Sequence, residues 1–280
     1  MTDPLTDELR SLYADASKHS QYQSLPAFVS EVIGYQEAID QGWRGDTPRL
    51  DYIRSRRLPA AGEHWADFGA NTGYFTLSLA KDHPETHFTA IEANDNHARF
   101  IRRIAEAFKM TNVTVQSAAL GLDDLSSVPA VNVLLHLNVI HHAGHDYDQK
   151  HVPSIGSFDA YAVRYLRALR ERAGEMIFQM GSNWGGDRAQ PLVPVTADIE
   201  KLSLMSRFLL SAGWELESIA YPRKDLGGVV YSPVDAAVPA LLQAKPGDRS
   251  GLASLLGDLG LDIFPGEFYR RPLFQCRRGG

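Results

Sequence analysis

The residues best suited to chemistry fall in the run Asp67-Phe68-Gly69-Ala70-Asn71-Thr72-Gly73-Tyr74-Phe75. Glycines at such a place let the backbone approach a ligand closely, and the start of the following helix offers free N–H groups. Twenty-five residues beyond Asp67, Glu92 closes the next strand, where a carboxylate can accept both hydroxyls of a ribose. The pair points to a small ligand bearing a nucleoside rather than to a tight turn with a packing role alone. A dinucleotide-binding turn needs Gly-x-Gly-x-x-Gly to cradle a pyrophosphate, whereas here Gly69 and Gly73 stand four apart with Asp67 at the strand end. An acid in the loop repels a pyrophosphate and welcomes a cation. The sulfonium and ammonium of S-adenosylmethionine supply that charge, so the loop chemistry favours methyl transfer over hydride transfer.

His141 and His142 follow another apolar run, where an imidazole can take a proton from a hydroxyl or amine acceptor or serve as a hydrogen-bonded structural group. His136 reads as core-adjacent, and His145 with Asp146 as surface. Gln179, Asn183 and Trp184 stand after a later strand, at the sheet edge where α/β ligands gather; they read as acceptor-pocket residues or an ordinary polar loop. The stretch His141-His142-x-x-His145-Asp146 has ligand-type residues but lacks the spacing of a zinc helix, so no metal is expected.

The elements that must position these groups alternate. A helix opened by Pro26 carries Phe28, Val29, Val32 and Ile33, and Pro59 marks a seam. Then come a strand at Trp65, a helix from Tyr74 to Lys81, a strand from His87 to Glu92 and a helix from about Asp95 to Met110. Strands follow around Val113 to Gln116 and Val131 to Leu135, then a helix with Ser157 as N-cap, and a strand from Met176 to Met180. A helix over about 197–212 and a strand from Trp214 to Tyr221 lead to a last strand over 268–277. Short apolar strands alternating with amphipathic helices signal a parallel sheet covered on both faces.

Composition sets the outer limits. The 280 residues suit one large domain or a domain with appendages, and 44% hydrophobic with 22% charged residues excludes fibrous and generally disordered classes. Lys plus Arg is 28 against 34 Asp plus Glu, a net charge of −6, so no bulk nucleic-acid binding is expected. The basic run Arg54, Arg56, Arg57 and the helix residues Arg99, Arg102, Arg103 and Lys109 read as solvated faces, with attraction of a phosphorylated acceptor as the other reading of the first run and of Arg44 and Arg49. A lone cysteine, Cys276, fits a reducing compartment, and the cytoplasm is the expected location. No run approaches the ~18 apolar residues of a membrane span, and the acidic N-terminus is unlike an export signal.

Residues 65 to 142, and by strand order the chain on to 278, resemble the class I S-adenosylmethionine-dependent methyltransferases. Asp67, Gly69, Asn71 and Gly73 fill that superfamily's first motif, Glu92 its second, and Leu137-Asn138-Val139-Ile140-His141-His142 the segment after its fourth strand. The resemblance implies that Asp67 and the glycine turn hold the amino-acid end of S-adenosylmethionine, Glu92 the ribose, and Asn138 the methionine side. Where many members carry an acid after the third strand for the adenine amino group, this chain has Ser117-Ala118-Ala119, so that contact falls to backbone groups or another side chain. The Asp-x-Gly-Ala-Asn-x-Gly-Tyr-Phe wording also occurs in FkbM-type methyltransferases, whose fourth-strand Lys-Ile-Asp is absent here. Tyr35-Gln36, Trp43-Arg44-Gly45-Asp46, Arg49-Leu50-Asp51, Val139-Ile140-His141-His142 and Trp184-Gly185 look like the methyltransferase half of O-antigen chain-terminating enzymes. Those enzymes methylate the sugar end of a glycan through a phosphate. That likeness implies that Tyr35, Gln36 and Arg49 reach over the cofactor, with Arg49 forked onto its carboxylate. The kinase portion of such enzymes has no counterpart in this sequence, so their substrate is not carried over.

The expected fold is thus α/β: a three-layer, Rossmann-like, seven-stranded sheet with its last strand antiparallel and an N-terminal helical cap over residues 1–60. Residues 61–280 form the methyltransferase domain, with an insertion at about 224–266 that is part loop and part short helix around Leu252 to Leu259. The expected activity is methyl transfer to a carbohydrate, phosphate-bearing or other small-molecule or glycan acceptor. The alternatives are a methyl or carboxymethyl transferase of the tRNA wobble-uridine type and a non-catalytic cofactor-binding protein.

Overall fold

The computed structural model describes residues 4–13, 23–34, 45–193, 198–225, 228–245, 248–256 and 270–280. The chain divides into two compact units, Met1–Ala119 and Leu120–Gly280.

In the first unit three strands, β1 (His64–Phe68), β2 (His87–Glu92) and β3 (Val113–Ser117), run parallel in the order β3-β2-β1. Helices α1 (Pro4–Tyr13), α2 (Ala27–Ile33) and α3 (Asp46–Arg56) precede them, and α4 (Tyr74–Asp82) and α5 (Asp95–Ala107) connect them. Helix α5 begins where it does because Asn94 caps it: its side-chain oxygen accepts from the N–H groups of Asn96 and His97 at 2.8 and 3.2 Å. Its buried Phe100, Ile101 and Ile104 form the stripe that faces the core. The basic residues of α5 hold neighbouring structure: Arg99 and Arg103 both pair with Glu8 of α1, at 2.9 and 3.0 Å. Arg54 pairs with Asp82, and Arg57 pairs with Glu63 while its guanidinium lies over an aromatic face, 5.5 Å from the Trp65 ring centroid. These cations therefore link helix to helix, and the end of α3 to the residue before β1, instead of forming a purely solvated face.

In the second unit β4 (Val131–Leu137) and β5 (Ala173–Gln179) are parallel and joined through α6 (Phe158–Arg170). After α7 (Asp198–Ser211), β6 (Trp214–Asp225) runs antiparallel to β8 (Leu273–Arg278), which itself lies antiparallel to β5. The order is β4-β5-β8-β6-β7, because β6 continues to Asp225 and folds back as β7 (Gly228–Pro233). The expectation of seven strands is corrected here: the described residues hold eight, and the extra one comes from the 224–266 segment. That segment also carries α8 (Ala237–Ala244) and α9 (Arg249–Leu256), so it is more regular than a loop with one helix. Its consecutive β-branched and aromatic residues Val229, Val230 and Tyr231 are a strand signal that the surrounding Gly, Pro and Asp obscured. The last strand starts at Leu273, not at 268. Ser157 begins α6 without a side-chain cap; its hydroxyl donates to Ser154 O at 2.7 Å.

Cys276 is buried in β8 between Met176 and Leu216, and burial pushes its thiol well above the usual range, which leaves it a packing residue and not a nucleophile. Among the described residues no helix is long and apolar enough to cross a membrane.

Candidate functional site

The glycine run of the first unit is a turn whose backbone is fixed at each step. Gly69 and Ala70 donate their N–H groups to Ile91 O at 2.8 and 3.1 Å, and Gly73 donates to Ala70 O at 2.8 Å. Gly69, Asn71 and Gly73 all have positive φ, 74°, 52° and 82°. At Gly73 two demands meet, since a Cβ there would also lie 2.8 Å from Ile101 Cγ1. Gly73→Ala is therefore expected to cost roughly 2–4 kcal/mol, from left-handed strain plus overpacking, in chemical denaturation. A loss below about 0.5 kcal/mol would show that the turn relaxes freely.

Glu92 ties this turn to the end of β2. Its Oε2 accepts from Asn71 N at 2.7 Å and its Oε1 from Asn94 N at 2.8 Å. His97 Nδ1 lies 4.0 Å from the same Oε1, so the carboxylate is held at the strand end where a ribose would meet it. Asp67, the fourth residue of β1, is 5% exposed and accepts the Thr76 hydroxyl at 2.8 Å. Burial raises its carboxyl to about 6, against the Thr76 hydrogen bonds that lower it, and the Glu92 charge raises it further while Arg49 opposes. Two acids held close together in a half-dry turn form a site that gains from a cation.

Arg49 of α3 lies in the same unit, with its guanidinium 5.1 Å from the Phe75 ring centroid. Its fork is held by the Asp46 carboxylate and by Gly45 O at 3.1 Å, and Asp46 in turn accepts Ser24 N at 2.7 Å. The structure therefore brings Arg49 to the turn, and within electrostatic reach of Asp67, together with Gly69, Asn71, Gly73 and Glu92. Tyr35 and Gln36, like Trp43 and Arg44, lie outside the described residues. Two neighbours escaped the sequence reading. Gln23 Oε1 accepts Tyr74 N at 3.0 Å at the mouth of α4, and Asp95 accepts the Ser117 hydroxyl beside the Ala118 N–H that bonds Glu92 O at 3.0 Å. Gln23 had no local signal, because its partner is 51 residues away; Asp95 was visible only as a first-turn acid.

In the second unit Asn138 follows β4 in a left-handed conformation, φ 62°. Its Nδ2 donates to Gln179 Oε1 at 3.0 Å and its Oδ1 accepts from Arg271 at 2.6 Å. Gln179 Nε2 donates to Tyr231 OH and Arg271 O, both at 3.0 Å, which fixes the orientation of both amides. Gln179 thus buttresses Asn138, a role sequence reasoning missed along with Tyr231 and Arg271. His141 and His142 form a 3-10 turn, Ile140–His142, with ring centroids 4.2 Å apart. His141 Nδ1 accepts Gly181 N at 3.2 Å, and His142 Nδ1 lies 2.9 Å from Asp146 Oδ2. Trp184 is a pin: its Nε1 donates to Ala143 O at 2.7 Å, and its ring meets His145 edge to face at 4.3 Å. Asn183 bridges to Pro191. His136 is buried between Tyr165 and Phe178, each ring 5.8 Å away. Among the described residues no group of three or more His, Cys, Asp or Glu is placed to hold a metal.

No protein-family model and no curated protein matches the sequence. Solved structures do match. The bifunctional kinase-methyltransferase WbdD aligns at 18% identity over 80% of this chain and 46% of its own, with a TM-score of 0.50. The [4+2]-cyclase SpnF aligns at 12% identity over 88% and 85% of the two chains, also at 0.50. A precorrin-6y C5,15-methyltransferase from Geobacter metallireducens GS-15 aligns at 12% over 84% and 89%, at 0.45. The chain spans less than half the length of the WbdD chains, 39% and 36% in two further alignments. The likeness is one of fold: this chain has the Rossmann-like α/β fold of the class I S-adenosylmethionine-dependent methyltransferases. A cyclase among the neighbours means that the fold by itself does not name the reaction.

Proposed function

We propose that the protein is a methyltransferase that uses S-adenosylmethionine to methylate a small-molecule or glycan acceptor. The observation that carries this reading is the Asp67 carboxyl, buried beside Glu92 and raised to about 6, in a turn whose glycines admit a ligand's backbone-close approach. An unpaired acid is costly there, and a cation restores it. A pyrophosphate in the same place meets two carboxylates and is repelled.

The residues fit the cofactor as follows. Asp67 and the turn over 69–73 hold its amino-acid end, Glu92 its ribose hydroxyls, and Asp95 with the 117–119 backbone its adenine edge. Arg49 faces its carboxylate; Tyr35 and Gln36 join it in this reading. Asn138, held by Gln179 and Arg271, lines the methionine side. When bound, the cofactor supplies an activated methyl group. The chain aligns the acceptor for in-line displacement, keeps water away from it, and with His141 or His142 takes its proton where the acceptor carries one. A carbohydrate acceptor is the favoured finer reading, since the narrower sequence likeness is to glycan-terminating enzymes, and a cytoplasmic location accompanies it.

Titration calorimetry with S-adenosylmethionine and its demethylated product tests the reading. Micromolar or tighter binding of both is expected. No heat with either leaves a non-catalytic protein that retained the fold.

A further inference from the structure

His141 and His142 are adjacent on one turn, yet their surroundings place the protons of the two neutral rings on opposite nitrogens. His141 is 2% exposed, and its Nδ1 accepts the Gly181 N–H at 3.2 Å. An accepting nitrogen carries no proton, so the neutral His141 ring is protonated on Nε2. Gly181 has to be glycine for this contact, because a Cβ there would lie 2.6 Å from His141 Cδ2. His142, by contrast, has its Nδ1 2.9 Å from Asp146 Oδ2, off the ideal N–H line, and its side chain is 19% exposed. A carboxylate oxygen only accepts. Two lone pairs facing each other at that separation repel, so Nδ1 carries the proton and the basic lone pair of His142 lies on Nε2.

Asp146 is held in place from both sides. The N–H groups of His145 and Asp146 both donate to His142 O at 3.0 Å, and Gly144 N donates to Tyr147 O at 2.7 Å. Asp148 anchors the far end by accepting Leu122 N at 2.6 Å and Tyr161 OH at 2.7 Å. Trp184 Nε1 fixes Ala143 O at the near end. A carboxylate rooted in backbone fixed this way, 2.9 Å from the ring, can orient an imidazole and face the charge that forms on it.

We propose that His142 is the base for the transferred group's acceptor, that Asp146 is its positioning residue, and that the acceptor is therefore a hydroxyl or an amine rather than a phosphate or carboxylate. This rests on the methyl-transfer reading. The acceptor oxygen or nitrogen forms its bond to the methyl carbon as the carbon–sulfur bond breaks, and the electron pair of that bond stays on sulfur, which becomes a neutral thioether. The acceptor's proton passes to His142 Nε2, and the imidazolium so formed stands against the Asp146 carboxylate before losing its proton to solvent. An anionic acceptor, already deprotonated at neutral pH, has no proton to give, and a built Asp–His pair would be idle. His141, with its proton on Nε2, is a donor and not the base.

Imidazole nitrogen NMR on the 15N-labelled chain reads the tautomers without any acceptor, with His141→Asn and His142→Gln used for assignment. The expected pattern is Nε2–H for His141 and Nδ1–H, the minor form of free histidine, for His142. Asp146→Asn should convert His142 to the Nε2–H pattern and Asp146→Glu should keep Nδ1–H. An Nε2–H pattern for His142 in the unmodified chain, or one indifferent to Asp146→Asn, overturns the proposal. Incubation with methyl-labelled cofactor and cell extract gives the second reading: a labelled methyl ether or methylamine supports it, and a labelled phosphate or carboxylate ester overturns it. With that product as assay, His142→Gln should lower kcat by about 10²–10⁴-fold while KM for the cofactor holds, and Asp146→Glu should recover most of what Asp146→Asn loses. Absence of cofactor binding in calorimetry defeats the methyl-transfer reading instead, so the two failures are told apart.

Discussion

Replacing Asp67 by Asn should make the protein more stable and nearly unable to bind its cofactor. The folded carboxyl titrates at about 6 against 3.8 in a free chain. Between those values the folded state binds more protons than the unfolded one, so stability falls as pH rises from 3.8 to about 6, and the penalty is complete at neutral pH. The difference corresponds to about 3 kcal/mol, an upper value for what Asn can return at pH 7 and little at pH 3, since its oxygen still accepts the Thr76 hydroxyl. Binding goes the other way. A cation meeting a buried, ionised carboxylate is worth about 3–5 kcal/mol when one partner is deleted, so affinity for S-adenosylmethionine should drop at least a hundredfold or so. In the unmodified chain the same affinity should weaken about tenfold per pH unit below about 6, as Asp67 takes up its proton. Urea denaturation and calorimetry on the one variant check both limbs; unchanged affinity with unchanged stability would remove Asp67 from the site.

The second large effect concerns His136, and its sign is opposite. Burial between Tyr165 and Phe178 lowers its imidazole from 6.5 to about 4. The unfolded chain then binds more protons between those values, so stability is full above 6.5 and is lost as pH falls to about 4. The loss amounts to about 3 kcal/mol. It nearly cancels the gain that Asp67 contributes over the overlapping window, so the unmodified protein should show a flat stability between pH 6.5 and 4. Asp67→Asn removes the compensation and should expose acid lability of that size. Adding His136→Leu, which keeps the volume and removes the titration, should flatten the profile again. Urea midpoints at pH 7 and 4.5 in these two backgrounds decide it: an acid-stable Asp67→Asn chain, or lability that persists with Leu at 136, contradicts the assignment.

Much of this protein was legible in one dimension. Strand β2 falls on His87–Glu92 as its apolar pattern requires, because a strand buried on both faces reads as a continuous apolar run. The turn over 67–73 declared itself through Gly69 and Gly73, which both take left-handed φ, and at Gly73 a Cβ would also meet Ile101. Hidden from the sequence was whatever depends on partners far along the chain. Strand β7 forms because β6 runs on to Asp225 and offers it an edge, a pairing energy that no local propensity records. Arg57 and Arg103 looked like solvated charge until Glu63 and Glu8 met them.

The residue types, then, determined the alternation of elements, the carboxylate-bearing glycine turn and the two candidate histidines, since each follows from local sterics and period. Only the tertiary structure decided that Asp67 is dry enough to hold its proton to about 6, that Gln179 and Arg271 lock Asn138, and that Asp146 stands against His142. Desolvation and charge act through space, and the distances that set them come into being only when the chain is folded.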